Sequence, residues 1–315
     1  TGRGQTSSQP LAFFKNYFIT GDYVAAGVGL EGRGVNGIAT GSFTMSGMPE
    51  NAEVLAAFLY WQVVTADGPD SGASIARFDG QPLASPGVPF TSVEGPLALV
   101  GGLSGTSPCW SSGGATGSSG GGKRTYSYRA DVLRFLPVDA DGRHQVNGPH
   151  TVQLPDSGHS NSTPRALGAS LVVIYRDPIP TASLNAVVIY DGSYTMDNST
   201  GGMSQAIKGF YDPAPVTGKI TNIVGSGQAN KFEILLVPGQ VVINPFQSTE
   251  GASWDTVTLP TASLSGDSLA TSVDHDGSGS SDCLTWSAIV YRTQVKDSDS
   301  DGLLDKWESS TSTLF

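Results

Sequence analysis

Most apolar residues of this chain lie in short runs, five to nine residues long, that glycine, proline, asparagine or aspartate interrupts. The runs are rich in Val, Ile, Leu, Thr, Tyr and Phe, which favour strands, whereas the interrupting residues favour turns. Such spacing leaves little room for helices, so the sequence predicts an all-β fold. The clearest strands are predicted at residues 41–46, 167–176, 184–190, 231–237, 256–259 and 284–295.

Two segments carry more apolar residues than a half-buried strand needs. Residues 284–295 form a nearly continuous apolar strip, so we expect a central strand that is covered on both faces. Residues 50–64 begin with the Ala, Leu and Glu of a helix but end with aromatic and β-branched residues. We interpret this segment as a strand as well.

The order of segments repeats once along the chain. In each half an apolar strand leads through a Gly/Ser-rich loop and a cysteine to a strand with an Ile/Val-Tyr-Arg end, at 167–176 and 284–293. The repeat predicts two tandem antiparallel β-sandwiches of jelly-roll type. The predicted divisions are an N-terminal arm (1–19), a first sandwich (20–178), a second sandwich (179–295) and a calcium-binding tail (296–315).

The most specific motif is the acidic run DSDSDGLLDKWE at residues 297–308. If Asp297 is position 1 of a calcium loop, glycine falls at position 6, where the chain must turn sharply. Mg²⁺ demands a tighter octahedron, so Ca²⁺ is the expected ion. The loop follows a strand, which disfavours a paired EF-hand sensor. The predicted ligands are the side chains of Asp297, Asp299, Asp301, Asp305 and Glu308 and the carbonyl group of Leu303.

Other polar residues support weaker hypotheses. Asp274, Asp276 and Asp282 suggest a second, looser ion site, although a hairpin loop explains them equally well. The two cysteines, Cys109 and Cys283, either close one long disulfide loop or remain two separate buried thiols.

Several segments together resemble known secreted proteins. The runs VLAAFLYWQVV, YRADVLRFLP and LGASLVVIYRDP, the last followed by LNAVVIYDG, resemble secreted bacterial β-sandwich proteins of uncharacterised function. The tail DSDSDGLLDKWE resembles the thrombospondin type 3 calcium repeat. The resemblance implies ion ligands at Asp297, Asp299, Asp301, Asp305 and Glu308, and it implies no catalytic residue.

Charge and composition narrow the function classes. A formal net charge of −11 offers no basic surface for nucleic acid, and no apolar run approaches the roughly 20 residues of a membrane helix. Because the sequence starts at Thr1 and not at a Met followed by a charged and then apolar segment, we expect a mature product from which a signal has been removed. Its Ser/Thr/Gly-rich loops, low Lys and Glu content and acidic motif also favour an extracellular or cell-surface location, where calcium is millimolar.

Three functions remain open. The first is a calcium-binding structural subunit of an extracellular filament or cell-surface assembly, which self-associates through the N-terminal arm. The second is a carbohydrate-binding or adhesive module, in which Trp110, Trp254 and Tyr194 either line a platform for glycans or, as is more common at strand ends, belong to the sandwich core. The third is a glycan-directed hydrolase on a double jelly roll, with acids drawn from Glu94, Glu233 and Glu250.

Overall fold

A computed structural model describes residues 6–8, 10–84, 97–101, 123–159, 162–179, 183–196, 202–229, 231–264, 266–275 and 283–309 of the chain. The strands, in chain order, are β1 (Thr6–Ser8), β2 (Ala12–Ile19), β3 (Gly21–Gly29), β4 (Ile38–Met45), β5 (Glu53–Thr65), β6 (Arg77–Phe78), β7 (Gln81–Pro82), β8 (Leu97–Gly101), β9 (Arg124–Asp131), β10 (Gly148–Pro155), β11 (Arg165–Arg176), β12 (Asn185–Thr195), β13 (Gly202–Lys208), β14 (Gly218–Gly225), β15 (Glu233–Val237), β16 (Gln240–Ile243), β17 (Trp254–Thr261), β18 (Ser268–His275) and β19 (Thr285–Gln294). The helices are α1 (Asp70–Ala73), a 3₁₀ turn (Leu133–Phe135) and α2 (Asp305–Ser309).

The strands form four sheets, which we number by their place in the molecule. Sheet I has the order β4-β10-β6-β7, sheet II β3-β11-β5-β9-β8, sheet III β17-β14-β19-β12-β2 and sheet IV β1-β13-β18-β15-β16. Pairing between the described strands is antiparallel except between β1 and β13. The prediction of an all-β fold of antiparallel sandwiches is confirmed, and the jelly-roll connectivity stays a prediction.

Three hydrophobic cores separate the four sheets, so the sheets stack as layers in the order I, II, III, IV. Trp61 and Phe78 lie in the core between sheets I and II. Val290 and Tyr60 lie between sheets II and III, and Trp286 lies between sheets III and IV. The first sandwich consists of sheets I and II, and the second consists of sheets III and IV. The two inner sheets, II and III, pack against each other.

This layering explains the long apolar segments. Strands of sheets II and III bury alternate residues in two different cores, so neither face of such a strand needs polar residues. In β5, Trp61 faces the core towards sheet I while Tyr60 faces sheet III. The strand predicted across residues 50–64 and the central position predicted for residues 284–295 are both present, as β5 and β19.

The N-terminal segment belongs to the second sandwich. β2 pairs with β12 and forms one edge of sheet III, and β1 pairs with β13 at one edge of sheet IV. Residues 12–19 therefore continue the second sandwich although they precede the first in sequence. Among the described residues, no helix is long and apolar enough to cross a membrane.

Candidate metal centre in the C-terminal loop

The acidic loop leaves the last strand and is anchored at both ends. After β19, Val295 bridges to Pro213, and the Asp305 N–H donates to the carbonyl oxygen of Lys296 (3.1 Å) where α2 begins. Leu304 is fully buried in the core between sheets III and IV. The loop at 296–304 is thus a closed turn with an apolar anchor, and it follows a strand as the sequence predicted.

Aspartate side chains shape the turn from within. The Gly302 N–H donates to Asp297 Oδ2 (3.1 Å) and the Leu303 N–H donates to Asp301 Oδ1 (2.8 Å). Gly302 has a φ of 92°, in the left-handed region that glycine adopts without steric cost. The sharp turn predicted at this glycine is present.

Three of the predicted ligands converge. Asp297, Asp299 and Asp301 each offer a carboxylate oxygen, and these oxygens all lie within 4.8 Å of one another. Asp297 is half-buried, and its Oδ1 is shielded from solvent without a hydrogen-bond partner. A shielded carboxylate oxygen is costly unless a cation or a donor satisfies it. The three side chains therefore fit a hard divalent cation, whose preferred ligands are oxygens.

The two remaining acidic side chains hold different positions. Asp305 accepts hydrogen bonds from the N–H (2.6 Å) and Oγ (2.7 Å) of Ser298, and these bonds lower the pKa of Asp305. The negative charge of Asp299, followed by desolvation and the charges of the other loop aspartates, raises the pKa of Glu308. Glu308 therefore lies in the negative field of the loop. Coordination by Asp305, Glu308 and the Leu303 carbonyl stays a prediction.

Several other candidates fall partly or wholly outside the described residues. Cys283 is disulfide-bonded, which agrees with the bridge considered from the sequence, but its predicted partner Cys109 lies outside the described residues. Asp276, Asp282, Glu94 and Trp110 also lie outside them. Asp274 is the second-last residue of β18, close to the undescribed residues 276–282.

The two described acids proposed for hydrolysis hold structural positions. Glu250 accepts hydrogen bonds from the Gly27 N–H (3.0 Å) and from Thr256 Oγ1 (2.6 Å), so it joins sheet II to sheet III. Glu233 is fully buried in β15, opposite His275 of β18. Trp254 is fully buried and donates to Ser170 Oγ (2.8 Å), so the prediction that it lines a sugar platform is wrong.

A second polar site escaped the sequence analysis. A cleft of about 750 Å³ lies between the edge strand β2 and sheet II. On its wall Arg129 forms a buried ion pair with Asp191, and the Arg129 guanidinium lies 3.3 Å from the ring centroid of Phe14. Desolvation raises the pKa of Asp191, against the opposing effect of Arg129. The Tyr17 hydroxyl is buried without a hydrogen-bond partner, and desolvation raises the pKa of Tyr17 to about 12.

A β-bulge creates this cleft wall. The register of β2 against β12 shifts between Ile189 and Tyr190, so Phe14 is the extra residue of the bulge and turns towards Phe58 of sheet II. A bulge redirects side chains without a clear signature in the sequence. The pairing of Arg129 with Asp191, 62 residues apart, likewise has no local signal.

No protein-family model matches the chain, and no curated protein matches it. The functional argument therefore rests on the residues themselves.

Proposed function

We propose that this protein is a calcium-stabilised structural subunit of an extracellular filament or cell-surface assembly. One observation carries the calcium part of the proposal: Asp297, Asp299 and Asp301 converge around a shielded, unpartnered oxygen of Asp297. The loop that holds them is fixed to the core by Leu304. An ion bound here would therefore act on the stability of the folded body.

The loop aspartates are already oriented for an ion, and without one they repel each other. Main-chain N–H groups already orient Asp297 and Asp301, so little ordering is needed on binding. Their mutual repulsion disappears when a cation sits among them. Because only the folded chain holds this arrangement, binding stabilises it by RT ln(1 + [L]/Kd), about 2.7 kcal/mol at a hundredfold excess over Kd.

The loop also connects the ion site to the N-terminal edge strand. α2 follows the loop directly, and its Trp307 packs edge-on against Phe18 of β2, with ring centroids 4.8 Å apart. Lys306 of α2 lies 5.6 Å from the ring centroid of Tyr211, which itself stacks on Phe18. An ordered loop therefore holds α2 against the edge of sheet III, and calcium would stabilise that edge.

Thermal melting of wild type, Asp297→Asn and Asp301→Asn, with calcium or with EDTA, tests the calcium proposal. Asparagine keeps the acceptors for the Gly302 and Leu303 N–H groups but removes the charge. We expect calcium to raise the wild-type melting temperature and to leave that of the variants nearly unchanged. In EDTA the variants should be at least as stable as wild type, because they lack the repulsion.

Asp141→Asn is the matched control, because Asp141 is an exposed acid in a turn more than 150 residues before the acidic loop. It should respond to calcium as wild type does. Magnesium at equal concentration should have a smaller effect, since it demands a near-ideal octahedron and releases its waters reluctantly. A wild-type melting temperature that is the same in EDTA and in calcium would refute the calcium site.

The assembly part of the proposal rests on the open edges of the β-sandwiches. Among the described residues, two of the three acids proposed for hydrolysis, Glu233 and Glu250, are bound up in the sheets, and the C-terminal loop holds the one acidic cluster that fits a metal. Sandwiches with open sheet edges lend themselves to strand pairing between copies. Electron microscopy of the protein in millimolar calcium tests this part: polymers are expected, and monomers at every concentration would count against it.

The cleft beside β2 supports glycan binding as a second candidate. Phe13 is 51% exposed at its rim, and Tyr17, Asp131 and Arg129 add an aromatic face with polar groups. Sugars are bound by this combination of aromatic faces and hydrogen-bonding side chains. A glycan array should then give hits that Phe13→Ala removes. An array without hits would eliminate this candidate.

A further inference from the structure

The outermost strand of sheet IV exposes an apolar surface. β16 pairs with β15 on one side, and no described strand pairs with its other side. Val241 and Ile243 of β16 are 61% and 65% exposed, and they lie opposite Leu236 and Ile234 of β15. We call these four residues the β15–β16 patch. Large apolar side chains grouped at an open sheet edge mark an interaction surface.

β16 lacks the features that protect other edge strands. At the edge of sheet III, β17 carries Pro260 and β2 carries Lys15 together with a bulge, and at the edge of sheet I, β7 ends in Pro82. The edge strand β4 exposes three hydroxyl side chains, Thr40, Ser42 and Thr44, and one apolar residue, Ile38, on its outer face. β16 has the sequence QVVI, with no charge and no proline. Natural sheets protect edges that must stay unpaired, so this unprotected edge is suited to pairing.

We propose that β16 pairs antiparallel with β16 of a second copy, which joins two copies of sheet IV into one continuous sheet. The inference rests on the proposed structural role, because it names a contact by which the subunit would associate. A two-fold axis at Val242 sets Val241 of one copy opposite Ile243 of the other. Both cross-strand pairs then lie on the outer face, where the two β15–β16 patches merge.

A second copy is the occupant that fits this edge best. Copies of the chain carry a net charge of −11 and repel each other, so a contact between them requires a surface without charge. β16 offers such a surface, and a two-fold axis makes it complementary to itself. Val and Ile are β-branched residues that favour strands, and the pairing would bury part of their exposed apolar surface.

This contact alone closes at a dimer, because each copy uses its β16 edge once. A filament therefore needs another contact as well, which the N-terminal arm would supply only by exchanging β1 or β2 between copies, since both strands already pair within the chain. The β16 contact and the polymer can thus be tested separately.

The first test compares wild type with the double variant Val241→Lys/Ile243→Lys by sedimentation velocity over a range of concentrations. We expect the mass of wild type to rise towards a dimer. The lysine variant should stay monomeric, or dimerise at least about tenfold more weakly, because it sets like charges opposite each other. The control Val35→Lys/Val138→Lys changes two valines that are 71% and 54% exposed elsewhere, and it should behave as wild type.

A charge exchange tests the register. Val241→Glu/Ile243→Glu alone should also be monomeric. Mixed with Val241→Lys/Ile243→Lys, it should form a heterodimer, because the proposed register sets each glutamate opposite a lysine. Thermal melting confirms that the variants fold, which the exposure of both positions favours.

The outcomes separate the two proposals. Wild type that is monomeric at every concentration, or a mixture of the charged variants that does not associate, overturns the β16 contact. Filaments that form equally well from wild type and the lysine variant support the structural role and overturn the β16 contact. Dimers of wild type without filaments support the β16 contact and remove the filament.

Discussion

At the scale of residues, Glu250 joins the two sandwiches at the cost of a buried charge. It accepts hydrogen bonds from Gly27 of β3 and from Thr256 of β17. Desolvation raises the pKa of Glu250 above its ordinary value of 4.5, although these hydrogen bonds oppose the shift. The neighbouring Asp255 has a raised pKa for the same first reason.

The raised pKa of Glu250 predicts a pH-dependent stability. The folded chain retains the Glu250 proton to a higher pH than the unfolded chain does. The stability that this protonated group adds is therefore fully present below pH 4.5, and it is lost as the pH rises through the folded-state pKa. Glu250→Gln keeps an acceptor for Gly27 and has no charge to bury. The difference in unfolding free energy, variant minus wild type, should therefore grow with pH.

Urea unfolding from about pH 4 to about pH 8 measures this difference. Glu250→Ala is the control for the hydrogen bonds: it should lose about 1–3 kcal/mol, since the Gly27 N–H loses its partner. A constant difference between Glu250→Gln and wild type across this pH range would contradict the predicted titration.

Individual residues differ in how far their roles can be predicted from the sequence. Asp297, Asp299 and Asp301 could be predicted because two-residue spacing in a tight turn brings side chains together locally. Glu250 attracted attention as a scarce glutamate, but its burial depends on β3, more than 200 residues earlier in the chain. The Arg129–Asp191 pair needed the packing of two inner sheets, which no short pattern encodes.

At the scale of elements, β2 is the strand whose place was least visible in the sequence. Period and composition predict that a strand exists, but not its neighbour. Residues 12–19 pair with β12, whose first residue Asn185 lies opposite Ile19. The strands β5 and β19 were easier to predict, because burial on both faces leaves a continuous apolar run. Edge strands carry a weaker pattern, since one edge and part of one face remain in solvent.

Two truncations separate the contributions of β1 and β2. Among the described residues, removal of 1–9 takes away the three-residue pairing of β1 with β13, so we expect a loss of about 1 kcal/mol. Removal of residues 1–19 also eliminates the contact of the Phe14 ring with Arg129 and that of the Phe18 ring with Trp307. The burial of these rings predicts a further loss of at least about 3 kcal/mol. Equal melting temperatures for the two truncated proteins would show that β2 contributes little.

At the scale of the whole molecule, the middle core makes the two sandwiches one unit. Ile174 and Val172 of sheet II pack with Ile189 and Val290 of sheet III in a core without solvent exposure. Domains joined by a large apolar interface do not behave independently. The tandem order of the two sandwiches was predictable from the repeated segments, but the stacking of their inner sheets was not, because apolar runs do not specify which sheet covers them.

This coupling predicts a single unfolding transition. With 5-fluorotryptophan incorporated, the ¹⁹F signals of Trp61 and Trp286 report on the two outer cores separately. Ile207→Ala creates a cavity in the core between sheets III and IV, at a cost of about 2–5 kcal/mol. If the middle core couples the sandwiches, this variant lowers the midpoint of the distant Trp61 signal as much as that of Trp286. If the sandwiches unfold independently, Trp61 keeps its wild-type midpoint, and a subunit whose halves separate under load could not transmit force as one body.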